Sequence, residues 1–392
     1  MNASVHQGRT CPAAGEPEFD ELALELFRLQ HSHNPVYRAF CRAKGVNPGV
    51  LRSWREIPAM PASAFKEYEV TCLEPGERRG VFRSSGTSGG QSSRNFHNSD
   101  TLEVYNTSLW LWFHECVGRQ LEVAQRTHPV ILMPPPHQAP DSSLVHMMEI
   151  VRTRLGASSD AFVGLNERAI GWRVDAAEML ARLEAPVAQK TARVLLLGTA
   201  FGFVQLLDWM AEHEMRLFLP DGSVVFETGG YKGRSRFVAR DELHALIEHR
   251  FGVPRERIVS EYGMSELASQ GYDVFPRSLN WSSSSTQTLH SEGGCDLPGA
   301  AARGGGSLLE LSPAERVFRF PPWARVTVVS PETGNQALPG EPGLLRIVDL
   351  ANVGSVLALQ SEDLGIAEGD GFTLLGRSAT AEAKGCSLLV AE

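Results

Sequence analysis

Hydrophobic residues near the start of the chain recur at the spacing of one helical face. The residues are Phe19, Leu22, Leu26 and Leu29. Intervals of three and four residues between apolar positions predict an amphipathic helix. Asn34 and Pro35 follow, and because proline cannot continue a helix, we predict that this helix ends there. A second short helix and a proline-punctuated stretch are expected next.

Beyond about residue 80, predicted strands and helices alternate along the chain. Short apolar runs predict strands at residues 128–133, 193–198, 222–228 and 257–263. Helical spacing predicts helices from about residue 142, over 201–211 and over 240–252. Asp100 is predicted to open a further helix, with Glu103 three residues later as in a capping box. This alternation predicts a largely parallel sheet with helices on its faces.

After about residue 316 the pattern changes to short strands separated by Gly and Pro turns. The strand sequences are RVFRF, ARVTVVS, GLLRIVDL, SVLALQ and GFTLLG. We therefore predict an α/β core over residues 1–315 and a β-rich subdomain of the same core over residues 316–376. Residues from about 278 to 315 are polar and glycine-rich, so a flexible surface insertion is predicted there.

Composition excludes some classes of protein. The chain has 392 residues, of which 46 are acidic and 37 basic, and its formal net charge is −9. This balance argues against nucleic-acid binding, which requires a basic face. The longest uncharged central stretch, residues 194–207, is too short and mixed to span a bilayer. The N-terminus lacks the apolar segment of a secretory signal, so a cytoplasmic protein is predicted.

The cysteines are scattered and show no C-x-x-C spacing. They are Cys11, Cys41, Cys72, Cys116, Cys295 and Cys386. This spacing argues against a zinc site, and a large chain without a secretory signal argues against a disulfide framework. Structural thiols are therefore the default interpretation.

Residues 84–94, SSGTSGGQSSR, are suited to binding phosphate. Glycines let the backbone fold tightly and bring N–H groups to a ligand, and the hydroxyls add donors around it. No Gly-Lys-Ser/Thr follows at the spacing of a Walker A loop. A flexible Ser/Gly linker is the alternative that composition leaves open.

Three motifs, in order, resemble those of the adenylate-forming superfamily, which includes acyl-CoA synthetases, peptide-synthetase adenylation domains and beetle luciferase. SSGTSG resembles the superfamily's phosphate loop. EYGMSELASQ, residues 261–270, resembles its adenine-side loop, which ends in a magnesium-binding glutamate. SEDLG and GFTLLGR, within residues 361–377, resemble the ribose-binding aspartate and the hinge segment after it. Three motifs in the expected order are more specific than any one of them.

Further segments resemble the acyl-protein synthetase family, which includes the synthetase subunit of the bacterial bioluminescence fatty-acid reductase and has phenylacetate-CoA ligases as more distant relatives. The segments are MPASAFK, DSSLVHMM, VLLLGTAFGFVQLLD, VFETGGYKGRSR, FPPWARVTVVSPETG, LLRIVDLANVGSVLALQSEDLG and KGCSL. The resemblance extends from about Pro61 to Leu388, apart from the insertion. It implies the large N-terminal α/β core of an adenylate-forming enzyme without the C-terminal lid domain. Residues 377–392 would be a hinge remnant and a tail.

The resemblance also implies roles for individual residues. The residues that would hold the β- and γ-phosphates of ATP are Ser84, Ser85, Gly86, Thr87, Ser88 and Gly89. The residues around the adenine would be Gly229, Gly230, Tyr262, Gly263, Met264 and Ser265. The Tyr262 ring would stack on the base. Glu266 would hold Mg²⁺, which offsets phosphate charge as a carboxylate attacks the α-phosphorus. Asp363 would accept hydrogen bonds from the ribose hydroxyls, with Arg377 near the same sugar.

The chain departs from the superfamily pattern at the phosphate loop. A lysine usually follows the last glycine of that loop, whereas here residues 90–93 intervene and the first cation is Arg94. Lys232 and Arg234 are further candidates to neutralise the polyphosphate.

The C-terminal tail contains a candidate nucleophile. Without a lid domain, an acyl-adenylate would have to react with a thiol that is already nearby. Cys386 lies in the segment KGCSL, and the resemblance implies acylation of a cysteine near the C-terminus. A thiolate attacks an acyl phosphate anhydride readily, and Lys384 would favour the thiolate by its charge. A packed terminal cysteine without chemistry is the alternative.

We therefore predict ATP-dependent activation of a carboxylic acid, fatty or aryl, to acyl-AMP. The acyl group would pass to Cys386 and then to a partner such as a reductase or a carrier protein. The alternatives are a ligase that acylates CoA or a small amine directly, and an inactive nucleotide-binding scaffold subunit. The acyl pocket is expected near Phe113, Leu144 and residues 198–203. The sequence identifies neither the acid nor the oligomeric state.

Overall fold

The structure is a computed structural model that describes residues 16–84, 91–121, 126–167, 171–189, 192–229, 236, 238–274 and 316–378. Most of the predicted phosphate loop, residues 85–90, lies outside these ranges, as do Gly230, Lys232 and Arg234. The predicted insertion and the tail with Cys386 also lie outside them. Predictions for these residues therefore stay predictions.

The described helices and strands follow one another in the predicted alternation. The helices are α1 (Glu16–His33), α2 (Pro35–Ala43), α3 (Ala64–Glu67), α4 (Ser99–Phe113), α5 (Arg119–Leu121), α6 (Ser143–Arg154), α7 (Ala176–Gln189), α8 (Ala200–Glu212) and α9 (Arg240–Phe251). The strands are β1 (Met60–Pro61), β2 (Gly80–Arg83), β3 (Arg94–His97), β4 (Arg126–Ile131), β5 (Gly164–Glu167), β6 (Gly171–Val174), β7 (Ala192–Thr199), β8 (Val224–Thr228), β9 (Ile258–Tyr262), β10 (Gly271–Val274), β11 (Val317–Arg319), β12 (Ala324–Val329), β13 (Pro342–Asp349), β14 (Ala358–Glu368) and β15 (Gly371–Arg377).

One large sheet joins the two regions of different periodicity. Its strand order is β12-β13-β14-β15-β11-β10-β9-β8-β7-β4. Strands β4, β7, β8 and β9 are mutually parallel, as predicted for the first region. Strand β10 pairs antiparallel with both β9 and β11, so Tyr272 lies opposite Arg319 and connects the two halves. Strand β1 adds a short parallel pairing to β14.

The parallel half of the sheet is buried on both faces. Leu195 and Leu197 of β7 belong to a hydrophobic cluster beneath α4 and α6. Val194 and Leu196 of the same strand belong to a second cluster with α7, α8 and α9. Continuous apolar runs, rather than alternating ones, predict this arrangement because helices cover both faces. No helix in the described ranges is long and apolar enough to span a membrane.

The predicted apolar face of the first helix is wrong in part. Leu22 and Leu29 are 51% and 50% exposed, whereas Phe19, Phe27 and the polar Gln30 are completely buried. The Gln30 amide donates to the Asn352 carbonyl at 2.8 Å and accepts from the Leu357 N–H at 2.7 Å. These long-range hydrogen bonds rotate the helix so that Gln30 faces the interior.

The predicted cap of α4 is also wrong. Asn98 is the N-cap residue, and its side chain accepts from the Thr101 N–H at 2.9 Å. The Thr101 hydroxyl in turn accepts from the Asn98 N–H at 3.0 Å, which completes a capping box. Asp100 lies inside the first turn rather than before it. Asparagine caps as well as aspartate, because both place a side-chain oxygen near the free N–H groups.

Strand β14 is longer than predicted. The run SVLALQ predicts a strand that ends at Gln360, but β14 continues to Glu368 and includes Asp363. Both neighbours, β13 and β15, pair with this continuation. The polar segment SEDLG is therefore held as a strand by its partners, although its composition does not predict one.

Candidate functional site

Several of the predicted site residues that the structure describes lie where β8 and β9 end and at the ends of β2 and β3 that face the phosphate loop. Gly229 follows β8, and the motif of residues 261–270 begins in β9 and continues beyond it. In sheets of parallel strands, ligands bind beyond the carboxyl ends of the strands. The motif therefore lies at the expected edge.

The β2–β3 hairpin closes the base of the predicted phosphate loop. The Ser93 N–H donates to the Ser84 hydroxyl at 2.9 Å, and the Ser84 N–H donates to the Ser93 carbonyl at 3.4 Å. Strands β2 and β3 pair with Arg83 opposite Arg94. The two ends of the loop are thus held together.

Strand β3 joins this loop to the adenine-side motif. The Ser93 and Ser265 hydroxyls are 3.2 Å apart. The Asn95 amide donates to the Ser265 carbonyl at 2.9 Å, and both side chains are buried. Two motifs that lie far apart in sequence are therefore in direct contact.

Glu266 is a buried carboxylate at this junction. It is 6% exposed, and the Ser265 hydroxyl donates to its Oε2 at 3.1 Å. Burial raises the pKa of the Glu266 carboxyl, while hydrogen bonds from Ser93 and Ser265 and the charge of Lys66 act in the opposite direction. Among the described residues, no ion pair neutralises this carboxylate. The Asn352 amide donates to the Glu266 carbonyl at 2.8 Å and holds the backbone.

Tyr262, Asp363 and Arg377 form a second group beside the first. The Tyr262 hydroxyl donates to Asp363 Oδ2 at 2.8 Å, and Arg377 Nε lies 3.4 Å from Asp363 Oδ1. Asp363 and Arg377 are directly opposite in the β14–β15 ladder. Burial and the adjacent Asp363 raise the pKa of Tyr262 well above its usual value. The Arg377 side chain is 71% exposed, so it is open to a ligand.

The Tyr262 ring is packed against three phenylalanines. Its centroid is 6.1 Å from that of Phe318, 6.2 Å from that of Phe320 and 5.3 Å from that of Phe372, all with edge-to-face geometry. These contacts fix the ring's orientation. Its stacking on an adenine stays a prediction.

Gly263 follows Tyr262 and lies against the Glu261 carboxylate. A Cβ at Gly263 would require this flexible side chain to move. The neighbouring Met264 packs against the hydrophobic cluster that contains Tyr262. Among the predicted adenine-side residues, Gly229 is exposed at the end of β8.

The first cation after the loop, Arg94, is engaged in an ion pair. Its guanidinium is 3.3 Å from Glu69, and Glu69 also pairs with Arg78 at 2.7 Å. The two arginines hold the pKa of the Glu69 carboxyl below its usual value. A polyphosphate would therefore have to compete with Glu69 for Arg94.

Sequence reasoning missed Asp349 as a support of the site. Asp349 is completely buried at the end of β13 and accepts from the Ser269 hydroxyl at 2.7 Å. It also accepts from the Ala268 N–H and the Ala351 N–H, both at 3.0 Å. Asp349 thus holds the backbone just after Glu266. Asp349 lies in the segment LLRIVDLANVGSVLALQSEDLG, whose resemblance to the acyl-protein synthetase family assigns no role to this residue. No local sequence pattern distinguishes this aspartate from a solvent-exposed one.

The residues predicted near the acyl pocket are divided between two hydrophobic clusters: Phe113 and Leu144 belong to the one beneath α4 and α6, and Phe203 to the one with α7, α8 and α9. Phe113 is completely buried between Phe226 and Tyr272, at centroid distances of 5.5 and 6.4 Å, so it belongs to the core. His146 Nε2 is 2.7 Å from Asn106 Oδ1, between α6 and α4. At Gly198, a Cβ would lie 3.0 Å from the Leu132 side chain and 3.2 Å from that of Phe203, so a larger residue would require these neighbours to shift.

Metal-binding capacity among the described side chains is limited. No group of three or more His, Cys, Asp or Glu residues within those ranges could hold a metal ion.

Sequence and structure comparisons show what the chain is similar to. The profile of the family described as "Acyl-protein synthetase, LuxE" matches residues 13–280. The long-chain-fatty-acid–luciferin-component ligase of Vibrio harveyi is 23% identical over 383 residues, which cover 95% of this chain and 86% of that protein.

Solved structures of 2-hydroxyisobutyryl-CoA ligase have the same fold. The structure of that enzyme in the postadenylation state, in complex with 2-HIB-AMP, matches this chain with a TM-score of 0.58 at 14% sequence identity. The match covers 92% of this chain and 67% of that enzyme's chain. An open conformation with 2-HIB-AMP and CoA matches with a TM-score of 0.57 at 14% identity, over 95% of this chain and 81% of its own. The predicted α/β fold of an adenylate-forming core is confirmed.

Proposed function

The chain belongs to the acyl-protein synthetase (LuxE) family, and from this membership we propose that it uses ATP to activate a carboxylic acid as acyl-AMP. A carboxylate oxygen attacks the α-phosphorus, the new P–O bond forms, and the bond to pyrophosphate breaks. The contact between Ser93 of the loop segment and Ser265 beside Glu266 is the observation that supports the proposal best. It brings the candidate phosphate loop and the candidate metal ligand into one site.

Glu266 is suited to Mg²⁺ that arrives with ATP. A buried carboxylate without a partner cation among the described residues gains from a divalent ion. Mg²⁺ is usually held by one or two carboxylates together with substrate phosphates, which fits a single glutamate. When bound, Mg²⁺ would supply positive charge that offsets the charge accumulating on the phosphates.

Asp363 and Arg377 would orient the ribose. A carboxylate accepts hydrogen bonds from the two sugar hydroxyls, and Tyr262 keeps the Asp363 side chain in place through the 2.8 Å hydrogen bond. The exposed Arg377 guanidinium can donate to the same sugar. Correct orientation of the nucleotide lowers the entropic cost of the attack.

The acyl group is proposed to pass from AMP to Cys386 and then to a partner protein. The Cys386 thiolate would attack the acyl carbonyl, forming a thioester and releasing AMP. The Vibrio harveyi relative is named a long-chain-fatty-acid–luciferin-component ligase, which supports a fatty acid as the substrate and a second component as the acyl acceptor. The reaction is proposed for the cytoplasm, where ATP is available.

A panel of acids tests the activation step. We expect pyrophosphate release that depends on both ATP and one class of acid, among fatty, aryl and amino acids. Hydroxylamine should trap the same acyl group as a hydroxamate. If no acid in the panel stimulates pyrophosphate release, the proposed function is wrong.

Replacing Cys386 with alanine tests the transfer step. Intact-protein mass spectrometry should show an acyl adduct on the wild type and none on Cys386→Ala, while pyrophosphate is still formed. Cys72→Ala is a matched control, because burial raises the pKa of the Cys72 thiol to about 12 and makes it a poor nucleophile. An adduct that persists in Cys386→Ala would exclude Cys386 as acceptor. A CoA thioester formed without any adduct would favour direct transfer.

A further inference from the structure

The candidate phosphate loop lacks the lysine that usually follows this loop in the superfamily. The first basic residue after the loop already forms an ion pair. Arg94, the first cation after the loop, is paired with Glu69. ATP carries several negative charges into this site, so another cation is needed to offset them. Within the described part of the chain, the charge of a further cation acts on the Glu266 carboxylate.

That cation is Lys66, on the short helix α3. Strand β1 leads into this helix and pairs in parallel with β14, with Pro61 opposite Gln360. The Ala62 N–H extends the pairing by donating to the Gln360 carbonyl at 2.9 Å. The segment that leads into α3 is therefore anchored beside the strand that carries Asp363, three residues beyond Gln360.

Helix α3 itself packs against β3, the strand that follows the phosphate loop. Ala64 and Phe65 are buried and fix the helix in place. The Lys66 side chain is half-buried, and its charge acts on the Glu266 carboxylate. Within the described residues, Lys66 forms no ion pair of its own. Helix α3, which carries Lys66, thus contacts the strand that follows the loop and begins beside the strand that carries Asp363.

We propose that Lys66 binds the β- and γ-phosphates of ATP and takes the place of the missing loop lysine. This inference rests on the proposed ATP-dependent function and assigns it a further residue. A lysine ammonium is a compact point charge that suits a phosphate without fixed geometry. As the bond from the α-phosphorus to pyrophosphate breaks, Lys66 would neutralise charge on the departing group.

Comparing ATP with AMP tests this role. The dissociation constants of both nucleotides are measured by titration calorimetry with Mg²⁺ present, for wild type and Lys66→Met. AMP lacks the β- and γ-phosphates, so we expect ATP affinity to fall about 10-fold or more in Lys66→Met while AMP affinity changes little. Lys66→Arg, which keeps the charge, should retain part of the ATP affinity.

Lys44→Met is the matched control, because Lys44 lies at the end of α2 over the Phe40 ring. It should leave the affinity for both nucleotides unchanged. Equal losses for ATP and AMP in Lys66→Met, or no loss for either, would overturn the proposal. If Lys66→Met does not fold, an ATP affinity of Lys66→Arg that falls more than its AMP affinity supports the role, and equal losses or no loss refute it.

The two proposals fail in distinguishable ways. If wild type binds ATP but no acid yields pyrophosphate, the proposed activation is wrong, while the ATP and AMP affinities still decide the role of Lys66. If activation occurs and Lys66→Met binds ATP as wild type does, only the role of Lys66 is wrong. A wild type that does not bind ATP would overturn both.

Discussion

Replacing Glu266 with glutamine should lower acid-dependent pyrophosphate release by about 100-fold or more, the scale on which single preorganised electrostatic groups act in catalysis. Glutamine keeps the size of the side chain and can still accept from the Ser265 hydroxyl, so the local packing is preserved. It lacks the negative charge that would hold Mg²⁺ at the phosphates. The rate is measured with saturating ATP and the preferred acid.

The Mg²⁺ dependence separates this explanation from a general disturbance of the site. In Glu266→Gln, the Mg²⁺ concentration that gives half-maximal rate should rise, while AMP affinity stays near that of wild type. Glu67→Gln is the control, since Glu67 is an exposed glutamate at the end of α3. It should retain the wild-type rate. A Glu266→Gln enzyme with unchanged rate and Mg²⁺ dependence would remove Glu266 from the proposed site.

Replacing Asp349 with alanine should destabilise the protein by about 3–5 kcal/mol, because three buried donors would lose their acceptor. These donors are the Ser269 hydroxyl and the N–H groups of Ala268 and Ala351. Each unsatisfied buried donor costs about 1–3 kcal/mol. Urea unfolding monitored by fluorescence measures the change in the free energy of unfolding. A loss below about 1 kcal/mol would show that water replaces the carboxylate at little cost.

The pH dependence of Asp349→Asn provides a second test at the same position. Burial raises the pKa of the Asp349 carboxyl above that of an unfolded chain. The folded protein therefore binds this proton more tightly, so the wild type gains stability at low pH and loses it as pH rises through the folded pKa. Asparagine does not titrate. The stability of wild type relative to Asp349→Asn should thus fall as the pH rises above about 4, the usual pKa of an aspartate; no change with pH would contradict the assignment.

The parallel half of the fold was predictable from short stretches of sequence. Strand β7 has consecutive apolar residues because helices cover both faces, and this run alone distinguishes it from a half-exposed strand. Strand β14 was predictable only in its first part, because its continuation through Asp363 depends on hydrogen bonds to β13 and β15. The rotation of α1 depends in the same way on Gln30, whose partners are more than 300 residues distant.

The candidate site was predictable as a set of residues but not as an arrangement. Glu266 and Asp363 could be named because their flanking residues resemble known motifs. The ion pair of Arg94 with Glu69, the support from Asp349 and the position of Lys66 have no such local signal. A side chain's partners across the fold leave no periodic trace in the sequence near it.

The amino-acid order therefore specifies the alternation of strands and helices, the family and the types of side chain at the site, since each of these depends on neighbouring residues. Folding specifies which of those side chains meet. Ser93 meets Ser265 across 172 positions, and Tyr262 meets Asp363 across 101, because sheet pairing brings their strands and loops together. The same pairing leaves Glu266 buried without an ion pair among the described residues, so a bound cation would stabilise its charged form.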